Sequence, residues 1–146
     1  MARATTPSLL RAEAIERAQR RCEYCQRPDD RELNAYPHEV EHVTARKHGG
    51  ATGSENLAYA CFDCNRHKGT DLSSIDPQTG KVTQLFNPRT QRWSNHFRLY
   101  VDGTIISRTA AGRATARLLH FNDPLRVQIR AALIAASKLS PKPKNS

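Results

Sequence analysis

Apolar residues recur at helical spacing near the start of the chain. Leu10, Ala14, Ile15 and Ala18 share one side of the stretch Ser8 to Arg21, while Arg11, Arg17, Arg20 and Arg21 lie elsewhere. The pattern predicts a helix with Ser8 placed to cap its start. Pro28-Asp29-Asp30 marks a turn, and His38 to Val43 is a short strand with Val40 and Val43 as its apolar members. A glycine-rich connector, Lys47 to Ser54, leads to a second short element, Asn56 to Ala60, and a helix is expected from Asn65 to about Thr70. Past Asp76-Pro77-Gln78-Thr79-Gly80 the pattern changes. Lys81 to Phe86 and Trp93 to Ser107 read as strands, with Asp102-Gly103 as the hairpin turn between residues 97–101 and 104–106. Thr109 to Leu119 and a segment from Asp123-Pro124 to about Leu139 read as helices, the second with a cap and a first-turn proline. In that last helix Leu125, Ile129 and Leu133 are expected to face the core, with Arg126 and Arg130 on a neighbouring stripe.

These elements predict an α+β fold divided into an N-terminal helix (1–21), a core (22–75), a C-terminal β-hairpin and helical extension packed on it (76–139), and a disordered tail (140–146). With 38% hydrophobic and 6% aromatic residues in 146, the core is thin, so a structural metal would help it. The cysteines can supply one. Cys22/Cys25 and Cys61/Cys64 are two Cys-x-x-Cys pairs, and four thiolates in two short brackets make a closed tetrahedral site for zinc. A disulfide-linked secreted protein is the competing use of the same cysteines. The N-terminus lacks the apolar stretch of a secretory signal and no apolar run is long enough to cross a bilayer, so a cytoplasmic, reducing setting is expected, where zinc is favoured.

Lys plus Arg outnumber Asp plus Glu by 23 to 14, a formal charge of +9. That excess suits a polyanion, for which counterion release drives binding, and nucleic acid is the expected partner. Between the cysteine pairs lie groups that suit a hydrolytic metal centre. His42 is the candidate general base, since an imidazole can accept a proton from water near neutral pH. Glu41 and Asn65 are candidate oxygen ligands for a hard octahedral ion, Mg²⁺ or Mn²⁺, and His67 is a possible nitrogen ligand. Asn56 is expected to orient His42 or to tie the loop to the hairpin. Arg46, Lys47, Arg66 and Lys68 are the first candidates for phosphate contacts, with Arg113, Arg117, Arg126 and Arg130 able to extend the track. Neighbouring strand residues face opposite ways, so Glu41 and His42 can serve one centre only if the strand bends or ends there.

The order Cys-x-x-Cys, Glu41-His42, Gly49-Gly50, Asn56-Leu57, Cys61-x-x-Cys64-Asn65-x-x-Lys68-Gly69 resembles the zinc-bearing subgroup of HNH endonucleases. The resemblance implies a ββα-metal finger with His42 as general base, Glu41 and Asn65 at the catalytic metal, and Asn56 as the middle residue of the motif. Glu41 stands where Asp is usual, and Asn65 where many members have His. The function implied is hydrolysis of DNA phosphodiester bonds with a single divalent metal. The alternative is a non-catalytic, zinc-stabilised nucleic-acid-binding module.

Overall fold

The computed structural model describes residues 6–141, so residues 142–146 of the expected disordered tail lie outside the described residues. In chain order the elements are α1 (Ser8–Arg17), β1 (Glu39–His42), β2 (Leu57–Ala60), α2 (Phe62–Lys68), β3 (Ser73–Ile75), β4 (Val82–Gln84), α3 (Trp93–His96), β5 (Phe97–Leu99), β6 (Ile105–Ser107), α4 (Ala110–Leu118) and α5 (Pro124–Ala135). The strands pair as three antiparallel two-stranded sheets, β1-β2, β3-β4 and β5-β6. The fold is thus a mixture of helices and small antiparallel sheets, as the sequence pattern predicts.

The first sheet positions the site. Its register places Glu39 opposite Ala60, Val40 opposite Tyr59, Glu41 opposite Ala58 and His42 opposite Leu57. All four β2 residues are buried, so β2 sits inside, while in β1 only Glu41 is buried. Helix α2 follows at once because Cys61 ends the strand in an extended conformation and its sulfur accepts from the Cys64 amide, an N-cap made by a cysteine.

Several elements differ from the sequence pattern. Helix α1 stops at Arg17, since Gln19 and Arg20 take left-handed φ angles of 55° and 58°. Ser8 is its first helical residue and Pro7 holds the cap position, without a side-chain cap bond. Residues 93–96 form a helical turn instead of a strand. Trp93 is buried there and its indole N–H donates to the Tyr24 carbonyl at 2.7 Å, which fixes the turn against the first cysteine pair.

Helix α5 presents a different face from the one expected. Its buried residues are Arg126, Arg130 and Leu133, at one-turn spacing, whereas Leu125 is 66% exposed. The guanidiniums go inward because acceptors wait there: the Leu119 and His120 carbonyls for Arg126, and the Gly103 and Phe121 carbonyls for Arg130. Gly103 makes that approach possible. A Cβ on it would lie 2.2 Å from the Val127 carbonyl oxygen, and its φ of +88° favours glycine. Phe86, Phe97, Leu99, Ile105, Leu119, Phe121 and Leu133 form one core with the four cysteines. The C-terminal extension therefore buries the back of the cysteine cluster.

Candidate functional site

Two chemical centres sit on the β1-β2-α2 unit. The first is the cysteine cluster. Cys22, Cys25, Cys61 and Cys64 are buried free thiols, and their sulfurs all lie within 4.8 Å of one another. A tetrahedral zinc with Zn–S near 2.3 Å sets its sulfurs about 3.8 Å apart. The Cys25 and Cys61 sulfurs are 3.6 Å apart, too far for a disulfide and suited to a shared ion. Backbone amides of Tyr24 and Cys25 point at the Cys22 sulfur, and that of Cys64 at the Cys61 sulfur, each at 3.4 Å. These donors stabilise thiolates. The four cysteines could hold zinc in a closed site with no open position for water.

Arg126 completes this environment from outside the cysteine pairs. Its Nη2 lies 3.1 Å from the Cys64 sulfur and 3.6 Å from that of Cys61. Burial works against its charge, but the sulfurs of Cys25, Cys64 and Cys61 hold it firmly in the protonated form. A zinc tetrathiolate carries net negative charge, which a buried guanidinium offsets. Arg126→Met is expected to weaken zinc binding by about 10- to 100-fold, the usual cost of removing a partner that tunes metal ligands. Competition with a zinc-binding dye measures it.

The second centre surrounds the end of β1, where the strand alternation separates Glu41 from His42. Glu41 points inward: its Oε2 accepts from the Tyr24 hydroxyl at 2.6 Å and its Oε1 from Lys68 Nζ at 3.0 Å. Lys68 also donates to the His42 and Val43 carbonyls, at 3.3 and 3.0 Å. Burial pushes the Glu41 carboxyl up, and Lys68 and Tyr24 oppose that shift. Lys68, expected at a phosphate, is thus a 3% exposed internal cation.

His42 points the other way and is half-buried. Its Nε2 lies 2.8 Å from the Thr52 hydroxyl in the glycine-rich loop. Burial, then the charges of Arg46 and Lys68, hold its pKa below the ordinary histidine value. Asn56 fixes the loop that carries Thr52. Its Oδ1 accepts from the Thr44 amide at 2.9 Å, and its Nδ2 donates to the Thr44 and Ala51 carbonyls at 2.9 and 2.8 Å. Gly50 lets the strands of this clamp close up, because a Cβ there would meet the Thr44 carbonyl oxygen at 1.8 Å and Asn56 Nδ2 at 2.8 Å. Arg17 and Arg89 brace the next residue, donating to the Leu57 carbonyl at 2.8 and 3.1 Å.

Asn65 and His67 occupy opposite flanks of α2. Asn65 lies one turn before Lys68 and shares its side of the helix, and its side chain makes no hydrogen bond among the described residues. The His67 ring packs on His120, centroids 4.1 Å apart, so it does not accompany Asn65. As the side chains stand, Glu41, His42 and Asn65 do not form a ready cage for a second cation. Glu41 has already given both oxygens to neutral and cationic donors, and Asn65 alone keeps its oxygen uncommitted.

Residues 22–71 match the HNH endonuclease family model. This segment is an HNH domain. It runs from the first cysteine through α2 and ends before β3, so α1, the β3-β4 and β5-β6 hairpins, α4 and α5 lie outside the match. Neither the curated proteins nor the solved structures gave a match.

Around the HNH domain, Arg46 and Lys47 are exposed beside His42, and Arg66 is 60% exposed on α2. Arg126 and Arg130 are buried and Arg113 pairs with Asp76 at 2.9 Å, which removes them from the track that their sequence positions suggest. Arg117 stays exposed. Among the described residues no helix is long and apolar enough to cross a membrane. Tyr24, Thr52, Lys68 in its internal role and Arg126 were not legible as site residues. Only the Cys-x-x-Cys-Asn-x-x-Lys spacing hinted at Lys68, one turn past Cys64 on the buried face.

Proposed function

We propose that this chain is a metal-dependent endonuclease that hydrolyses DNA phosphodiester bonds, with His42 as general base on a zinc-clamped ββα finger. The observation that carries the reading is the presentation of His42 within an HNH domain: a half-buried imidazole at a strand end, held at one nitrogen, with the exposed Arg46 near enough for its charge to act on the ring. His42 takes a proton from the water that attacks phosphorus, the ester P–O bond opposite breaks and the departing sugar oxygen takes a proton from solvent, while Arg46, Lys47 and Arg66 bind the phosphates and draw double-stranded DNA to the site. Asn56 keeps the loop in place, and the zinc holds the scaffold without entering the reaction. The thiols suit a reducing, cytoplasmic setting.

Mg²⁺ or Mn²⁺ is proposed as the exchangeable cation on the strength of the donor types, with Asn65 and Glu41 as its protein ligands. Such an ion would stabilise charge on the phosphate. Glu41 reaches it only by exchanging Lys68, and the same lock favours the second reading, a zinc-stabilised nucleic-acid-binding module without catalysis. Supercoiled plasmid incubated with Mg²⁺ or Mn²⁺, beside the same protein without added cation, separates the two. Relaxation that depends on the cation supports the nuclease. Retarded migration without any nick favours the binding module.

The direction of the His42 shift gives a pH prediction. With its pKa below the ordinary value of about 6.5, the imidazole is neutral at pH 7 and ready to act as a base. Cleavage is expected to be flat around neutrality and to fall only on acidification below about pH 6.5, as His42 takes up its proton. Initial nicking rates between pH 5 and 8 test this, and a rate that rises with acidity would contradict it.

A further inference from the structure

Resting on the nuclease reading above, we infer that Thr52 is a positioning residue for His42: its hydroxyl oxygen accepts the Nε2 proton, so the lone pair that acts as base sits on Nδ1. The geometry is direct. Nε2 and Thr52 Oγ1 are 2.8 Å apart, and Nδ1 makes no hydrogen bond among the described residues. A neutral imidazole carries its proton on one nitrogen only, so whichever group accepts that proton decides which nitrogen is basic. A hydroxyl can play either role. The nuclease reading calls for acceptance at Nε2, because that arrangement leaves a free lone pair on the nitrogen not already covered by Thr52.

Three further contacts make this contact a built one. Asn56 donates to the Ala51 carbonyl at 2.8 Å, the residue preceding Thr52, and bonds both the amide and the carbonyl of Thr44. One side chain therefore ties the loop that carries the hydroxyl to the strand end that carries the imidazole. Asn56 acts on His42 through Thr52, touching neither the ring nor the reacting atoms. Arg17, reaching from α1 to the Ser54 carbonyl at 3.0 Å and its hydroxyl at 3.1 Å, closes the same loop on its far side.

The test uses the full chain with its zinc. Nitrogen-15 spectra of His42, assigned by comparison with His42→Gln, report the tautomer without any need for turnover. The Nε2–H form is expected in wild type and in Thr52→Ser, and loss of that preference in Thr52→Val. In the plasmid assay Thr52→Val should lower kcat about 10- to 100-fold with KM and zinc content unchanged, as removal of a tautomer-fixing partner does, and Thr52→Ser should restore it. A wild-type ring protonated at Nδ1, or a Thr52→Val protein with wild-type kcat, would overturn the inference. If wild type itself cleaves nothing, the nuclease reading fails, while the spectra still decide the role of Thr52.

Discussion

Stripping zinc from the chain is expected to unfold residues 22–71 and to release α5 from their back. Structural zinc contributes about 10–16 kcal/mol in small zinc domains, while whole domains are stable by only about 5–15 kcal/mol, so the remaining contacts cannot compensate. The cysteines clamp together segments that lie far apart in the chain. Cys22 and Cys25 belong to the loop after α1, Cys61 and Cys64 to the start of α2, and all four join the core that includes Phe86, Phe97 and Phe121. Without the ion, Arg126 would also lose the charge it balances and remain a buried cation facing neutral thiols. Trp93 gives a convenient signal, since it is 6% exposed and bonded to the carbonyl of Tyr24, between the first two cysteines. Addition of a strong chelator should shift its emission to the red and reduce helical circular dichroism, with recovery on returning zinc. Cys61→Ser should reproduce the apo behaviour. Unchanged spectra in the zinc-free chain would show that the cysteines are merely packed.

The second large effect is expected at Lys68. Lys68→Met leaves Glu41 buried with Tyr24 as its remaining partner, and breaking a buried ion pair from one side typically costs about 3–5 kcal/mol. The carbonyls of His42 and Val43 lose a donor at the same time. Urea unfolding at pH 7 should therefore show a midpoint far below wild type. The pH dependence has a definite sign. Burial raises the Glu41 carboxyl above its unfolded value, and without Lys68 that rise grows. The folded state then binds the proton more tightly than the unfolded one, so the variant should gain stability as pH falls from 7 toward the unfolded value of about 4.3. Glu41→Gln added to Lys68→Met should recover part of the loss at pH 7. If Lys68→Met is as stable as wild type, the internal pair is dispensable and Glu41 is freer to meet a cation than its contacts suggest.

How much of this was legible in the sequence depended on the range of the interaction. The cysteine pairs could be read because two residues between ligands is a local constraint, and the metal family follows from the ligand type. The β1-β2 hairpin was legible from the apolar members Val40 and Val43 and from the short element Asn56 to Ala60 beyond the glycine-rich connector, and the opposite facing of Glu41 and His42 from strand alternation alone. Helix α5 was misread at its arginines. An arginine stripe normally means solvent, and the signal that reverses it, a cluster of sulfurs more than sixty residues earlier in the chain, exists only once the fold brings them together. Trp93 turned from strand to helix for a similar reason, its partner being the carbonyl of Tyr24. Thr52 carries no pattern at all. A hydroxyl in a glycine-rich loop gains meaning only from the imidazole it meets.

The proposed role of His42, supplying the base on a scaffold held by zinc, is tested most directly by the rate at which supercoiled plasmid is nicked by wild type and by His42→Ala, matched for zinc content and melting temperature. His42 lies at a half-buried strand end and takes no part in the cysteine cluster, so its removal should leave the fold intact. The expected result is a fall of about 10²- to 10⁴-fold in rate, the usual contribution of a positioned general base. Equal rates from the two proteins would contradict it.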